Sequence, residues 1–209
     1  VISRLKIEIR DKDGIIENCT VTGKMEDTIS GLDSVSFSNC ALISQENYGQ
    51  IKNVDVEGVL YGGSILAGIT LRNFGLISNV FADVEIYSSS YGAGISIYNN
   101  SGTIENSVAK INIYGYYFDD PDSTIPSPPP MAFNLAGIVV KMDNEAKIKN
   151  CMVVGKLKSS SAGTSNGTAG SACVVESLQN KSTVENTISL VDWDSTFEGT
   201  PSSVAVGFA

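Results

Sequence analysis

The sequence predicts an all-β fold: a parallel, right-handed β-helix (β-solenoid) of about six coils, with three short strands per coil. Three observations predict it. First, one string returns six times, an aliphatic residue, any residue, then asparagine. It stands at Ile16/Asn18, Ile51/Asn53, Ile77/Asn79, Ile104/Asn106, Ile148/Asn150 and Val184/Asn186. Second, an apolar anchor precedes each of these asparagines by ten to twelve residues, at Ile7, Leu42, Ile69, Ile95, Ile138 and Val174. Third, only 18% of residues are charged while 42% are hydrophobic, and Gly, Ser and Asn are frequent, which disfavours long helices. Repetition at a fixed period with a constant inner interval marks a stacked-repeat architecture.

The anchor is clearest in Ala67-Gly68-Ile69, Ala93-Gly94-Ile95 and Ala136-Gly137-Ile138. It predicts the first strand, as in Gly94-Ile95-Ser96-Ile97-Tyr98. The second strand carries the motif, as in Thr103-Ile104-Glu105-Asn106, and the third follows it, as in Ala109-Lys110-Ile111-Asn112-Ile113. Apolar and polar residues alternate within each strand. The alternation slips by one across the asparagine: Ile77 and Asn79 share one parity, while Val80, Ala82, Val84 and Ile86 hold the other. Strand side chains alternate faces, so a slip of one predicts a corner. Asparagine suits a corner because it tolerates a left-handed backbone and its amide bonds to nearby groups. Stacked corners about 4.8 Å apart predict a ladder of Asn18, Asn53, Asn79, Asn106, Asn150 and Asn186, amide to amide, with isoleucine stacked on isoleucine beside it.

Successive anchors lie 35, 27, 26, 43 and 36 residues apart. The short intervals are the bare coil. The longer ones predict insertions near 24–36, 119–130 and 159–170, the second rich in proline and the third in Ser, Gly and Thr. All three fall after the asparagine and before the next anchor, which places them on one side of the solenoid. The chain reads as a single β-solenoid segment over 1–209, part of a longer chain. Ser203-Val204-Ala205-Val206-Gly207 resembles the start of a further unit, and neither end shows a cap.

The net charge of −9 argues against nucleic acid and anionic membranes as partners, and no apolar run reaches the length of a membrane span. There is no histidine, so Ser-His-Asp, Cys-His and His-bearing zinc sites are excluded within these residues. Cys19, Cys40, Cys151 and Cys173 form no C-x-x-C pair. They read as buried structural thiols, with two disulfides as the alternative. No metal site, cofactor or catalytic residue is assigned. Two sets of acids could serve carbohydrate chemistry, which needs paired carboxylates. One is Asp119, Asp120 and Asp122. The other is Asp192, Asp194 and Glu198 around Trp193, the single tryptophan. Tyr87, Tyr91, Tyr98, Tyr114, Tyr116 and Tyr117 concentrate in the middle coils and could form an aromatic strip for a partner, or could serve only as good strand formers.

The string Ala93-Gly94-Ile95, then Asn99-Asn100-Ser101-Gly102-Thr103-Ile104-Glu105-Asn106, resembles the GLUG-motif repeats of bacterial surface proteins. So do Gly14 to Gly23 and Ile148-Lys149-Asn150-Cys151. Such repeats occur in large secreted or wall-attached proteins, including the N-terminal region of immunoglobulin A-cleaving metallopeptidases. The resemblance implies a β-solenoid and an extracellular or cell-surface location. It does not imply proteolysis, because that zinc motif needs histidines. The expected function is therefore a non-enzymatic extracellular scaffold or adhesin-like binding module that meets a protein or glycan at a surface. The alternatives are a carbohydrate-binding or carbohydrate-cleaving β-helix protein, or a structural subunit that self-associates through its solenoid ends.

Overall fold

A repeat whose aliphatic residues stack at one strand spacing requires parallel ladders, and every strand pair among the described residues is parallel. The computed structural model describes residues 8–26, 39–115, 134–162 and 170–198. Two parallel sheets result, one of six strands and one of twelve, and together they form a β-solenoid. The six-stranded face runs in sequence order through Glu8–Ile9, Ser44–Asn47, Thr70–Asn73, Ser96–Asn100, Val139–Asp143 and Val175–Leu178. The larger sheet bends around the rest of each coil. In the two bare coils it is followed by one 18-residue strand each, Gln50–Ala67 and Leu76–Ala93. In later coils the same path divides, as in Thr103–Glu105 and Val108–Gly115.

The motif strand behaves as the periodicity demands. Ile16, Ile51, Ile77, Ile104, Ile148 and Val184 stand in one register column. Ile51, Ile77, Ile104 and Ile148 are wholly buried. Burying each such side chain contributes about 1.5–3 kcal/mol before entropy is counted. A second column follows the corner, Met25, Leu60, Ile86, Ile113, Leu157 and Trp193, wholly buried from Leu60 to Leu157 and exposed at Met25.

All six predicted corner asparagines have a left-handed backbone, with φ between +47° and +53°. Asn53 donates to Asn18 at 3.2 Å and Asn79 to Asn53 at 3.2 Å. Further along, Asn150 donates to Asn106 at 3.1 Å and Asn186 to Asn150 at 3.3 Å. These amides face solvent, so each bond contributes at most about 0.5–1.5 kcal/mol. The decisive property is the backbone angle, which costs an ordinary L-residue about 1–2 kcal/mol and asparagine less. The next residue turns its side chain back onto the corner. Ser107 Oγ donates to the Glu105 carbonyl at 2.7 Å, and Thr187 Oγ1 to the Glu185 carbonyl at 3.0 Å. Cys151 Sγ does the same to the Lys149 carbonyl at 3.2 Å.

The apolar anchor differs from its sequence reading. Gly94-Ile95 is not strand: the chain bends there, between strands ending at Ala93 and beginning at Ser96. The same bend recurs at 42–43, 68–69, 137–138 and 173–174. The backbone N–H groups of Ile69 and Thr70 both donate to the Ile95 carbonyl, at 3.0 and 3.1 Å. Ile95 and Ser96 repeat this onto Ile138, and Ile138 and Val139 onto Val174. Two donors converging on one acceptor turn the chain while keeping it bonded to the coil above. Glycine is required by the close approach: a Cβ on Gly94 would lie 2.2 Å from the Gly137 carbonyl oxygen. A fourth short segment, unforeseen in the sequence, therefore precedes each bend, as Asn39–Ala41, Asn134–Ala136 and Gly170–Ala172.

The predicted insertions are narrower than their sequence bounds where they can be followed. Strand Ile15–Glu26 continues through 24–26, and strand Met152–Ala162 through 159–162. The anchor Ile7, the segment 119–130 and residues 203–207 lie outside the described residues. The four cysteines are free, and no disulfide forms. Cys151 is buried, and burial raises its thiol pKa. Cys19, expected inside, is exposed, because it occupies the first described coil.

Two substitutions test the corners. Asn79→Ala is expected to lower stability by about 1–2 kcal/mol, read as a fall in the urea midpoint, and Asn79→Gly by less, because glycine accepts positive φ. Equal losses would place the stabilisation in the amide ladder instead. Gly94→Ala is expected to lower the midpoint more than either, since the clash is with backbone.

Candidate functional site

The bend at each anchor leaves an external concave angle between the six-stranded face and the segment before the bend. Its floor is an alanine column, Ala41, Ala67, Ala93, Ala136 and Ala172, set in register. One wall carries Leu71, Ile97 and Val140, which pack with Ala67, Ala93 and Ala136 as a small apolar cluster apart from the main core. Alanine belongs on the floor because two sheets meet there and leave room for a methyl group only.

The groove is filled in its middle and open at one end. Tyr91 and Tyr98 rise from opposite walls and meet across it, with ring centroids 6.4 Å apart. At the far end Glu176 lies against Gly170, where a Cβ would come within 2.2 Å of its carboxylate oxygen. Burial raises the Glu176 pKa, and Lys141 opposes the shift. At the near end a cleft of about 220 Å³ remains. Asn39 and Ile65 line one side, and Gln45, Glu46, Leu71, Arg72 and Tyr98 the other. Arg72 Nη1 donates to Glu46 Oε1 at 3.0 Å, so the cleft's two charges neutralise each other. The Tyr98 phenol is pushed above its ordinary pKa, mainly by burial.

Tyr91 and Tyr98 thus lie in the groove, and the other candidate residues from the sequence fall elsewhere. On the outer face Tyr114 stacks on Tyr87 with centroids 4.9 Å apart, and Tyr87 meets Tyr61 at 5.3 Å with the rings tilted. The Tyr87 hydroxyl donates to Glu85 Oε1. That bond comes first among the causes that raise its pKa to about 12, followed by burial and by the Glu85 charge. Trp193 packs inward against the core, its indole N–H buried without an acceptor among the described residues. Asp192 and Asp194 are exposed, with Asp194 paired to Lys158 at 3.5 Å. Tyr116, Tyr117, Asp119, Asp120 and Asp122 lie outside the described residues, and no side-chain placement is described for Glu198. Among the described residues no three His, Cys, Asp or Glu side chains group as cation ligands, and no helix is long and apolar enough to cross a membrane.

Two features were missed. One is the cleft, whose residues come from three coils. Of these, the sequence singles out only Tyr98. The other is a buried amide ladder behind it. Asn47 donates to Asn73 at 2.8 Å and Asn73 to Asn99 at 2.9 Å, all three wholly buried. Asn47, Asn73 and Asn99 are spaced by the bare repeat length, 26 residues, so the signal was present. No family model, no curated protein and no solved structure matches the chain.

A spectroscopic titration tests the stack. The Tyr87 absorbance near 295 nm is expected to titrate around pH 12, and Glu85→Gln to move it back toward the ordinary tyrosine value. A raised phenol pKa means that the folded state holds its proton more tightly. Its contribution to stability is complete below about pH 10 and is lost as pH rises through about 12.

Proposed function

We propose that the chain is a non-enzymatic, extracellular scaffold that presents a binding surface from one side of a β-solenoid, in the manner of an adhesin module. One observation carries this reading. The bare coils cross from the third strand to the anchor within one continuous strand, Gln50–Ala67 or Leu76–Ala93. The other described coils leave that path at Glu26, Gly115 and Ala162 and return at Asn39, Asn134 and Gly170. All three long connections therefore re-enter on the same wall of the groove. Variable segments held at one phase of a rigid repeat are how solenoids form recognition surfaces. The resemblance to GLUG-motif repeats supports the surface location. The sequence has no histidine, so a histidine-based hydrolytic site has no residues here.

Beads carrying the chain are expected to adhere to protein- or glycan-coated surfaces. Replacing 119–130 by a short Gly-Ser turn should weaken adhesion severalfold while circular dichroism stays unchanged. Release of reducing ends or unsaturated products from polysaccharides would overturn the reading.

A further inference from the structure

We infer that the open end of the groove is a subsite for one neutral sugar ring of a longer glycan, with Tyr98 as the stacking face and the Arg72–Glu46 pair and the amides of Asn39 and Gln45 as hydroxyl partners. The inference rests on the chain being a binding module and names its ligand class. Size comes first. A cleft of about 220 Å³ falls below the roughly 300–1,000 Å³ of pockets that enclose drug-sized ligands, so it admits one ring-sized group. Charge comes next. Arg72 is already matched by Glu46 at 3.0 Å, so an anionic ligand would have to displace the carboxylate, and a cation would face the guanidinium. A neutral ligand disturbs neither.

The lining then selects among neutral ligands. Leu71, Ile65 and the half-buried Tyr98 ring give an apolar wall. Such a wall suits the C–H face of a sugar, and an aromatic ring with a polar tip is efficient there. Asn39 and Gln45 each offer both a donor and an acceptor, which matches hydroxyls that need both. A peptide recognised through its backbone would need an open strand edge. The strands Ser44–Asn47, Thr70–Asn73 and Ser96–Asn100 are each paired on both sides, so the wall carrying Gln45, Arg72 and Tyr98 offers no such edge; on the other wall Asn39–Ala41 has one described partner, Gln50–Ala67. The buried Asn47–Asn73–Asn99 ladder fixes the same three strands from behind, so the wall is rigid before a ligand arrives.

The test is amide-resolved NMR titration of the whole chain with neutral oligosaccharides, β-1,4- and α-1,4-linked glucose and mannose, beside an oligouronate and an unrelated peptide. Shifts centred on Gln45, Leu71, Arg72 and Tyr98 with a neutral oligosaccharide are expected. Tyr98→Ala should weaken binding at least tenfold, Tyr98→Phe little, and Tyr87→Ala not at all, with thermal melts confirming that each variant folds. Neutral binding elsewhere, binding only of the oligouronate or the peptide, or no shift at millimolar sugar would each overturn the subsite. The bead assay judges the scaffold independently: adhesion to a neutral-glycan surface that survives Tyr98→Ala would sink the subsite alone, and failure of the unaltered chain to adhere to any protein- or glycan-coated surface would sink the scaffold.

Discussion

Parallel coils one strand spacing apart have no freedom to turn at different places. A corner displaced by one residue would invert every inward side chain after it. The chain meets this constraint with two corner devices of different chemistry. At the motif, asparagine holds φ near +50° in every described coil. At the anchor, two backbone N–H groups converge on one carbonyl of the next coil, with glycine where the chains approach most closely. The first and last described anchor bends have Leu42 and Cys173 instead, and it is the Cys173 carbonyl that Gly137 approaches. Fixed corners are what let the isoleucine column fill without gaps.

The two amide ladders run in opposite senses. At the outer corner Asn53, Asn79, Asn150 and Asn186 donate to the coil before them, as Asn79 does to Asn53. In the buried ladder each donates to the coil after it, as Asn47 does to Asn73. The outer ladder is exposed, so water can complete any unpaired end. The inner ladder starts at Asn47, whose side-chain Oδ1 is buried without a donor among the described residues. Such an atom costs about 1–3 kcal/mol. Buried amides are therefore a costly way to join these strands, and what they secure is register rather than net stability. Charges follow the same coil-to-coil logic. Lys110 meets Asp83 at 2.7 Å and Lys149 meets Glu105 at 2.8 Å, each pair lying across directly paired residues. These pairs are exposed and contribute little singly.

The groove is a by-product of the anchor bend. Once the chain turns outward at Gly68 and Gly94, the alanines before the bend and Leu71 and Ile97 after it must face each other across an exterior angle. Filling that angle needs side chains from both walls, and Tyr91 and Tyr98 supply them in the middle coils. Where the partner position is Ile65 instead of tyrosine, the angle stays open. A repeat thus acquires a distinct site by changing one aromatic residue.

Spacing alone determined the parallel ladders, the corner asparagines and the inward isoleucines, because these depend only on which residues recur and at what interval. It also misplaced the anchor bend inside a strand. An apolar residue reads the same at a corner as in a strand, and the carbonyl shared by two donors belongs to another coil. Tertiary structure alone decided the groove and the fate of the candidate residues. Trp193 sits beside acids in sequence yet turns inward, since its register partner is the buried Leu157. Arg72 and Glu46 are 26 residues apart and carry no local signal, and only the stacking of coils makes them neighbours. Recurrence is a one-dimensional property and survives in the sequence. A cleft assembled across coils is a property of their stacking, and it exists only once the coils have closed.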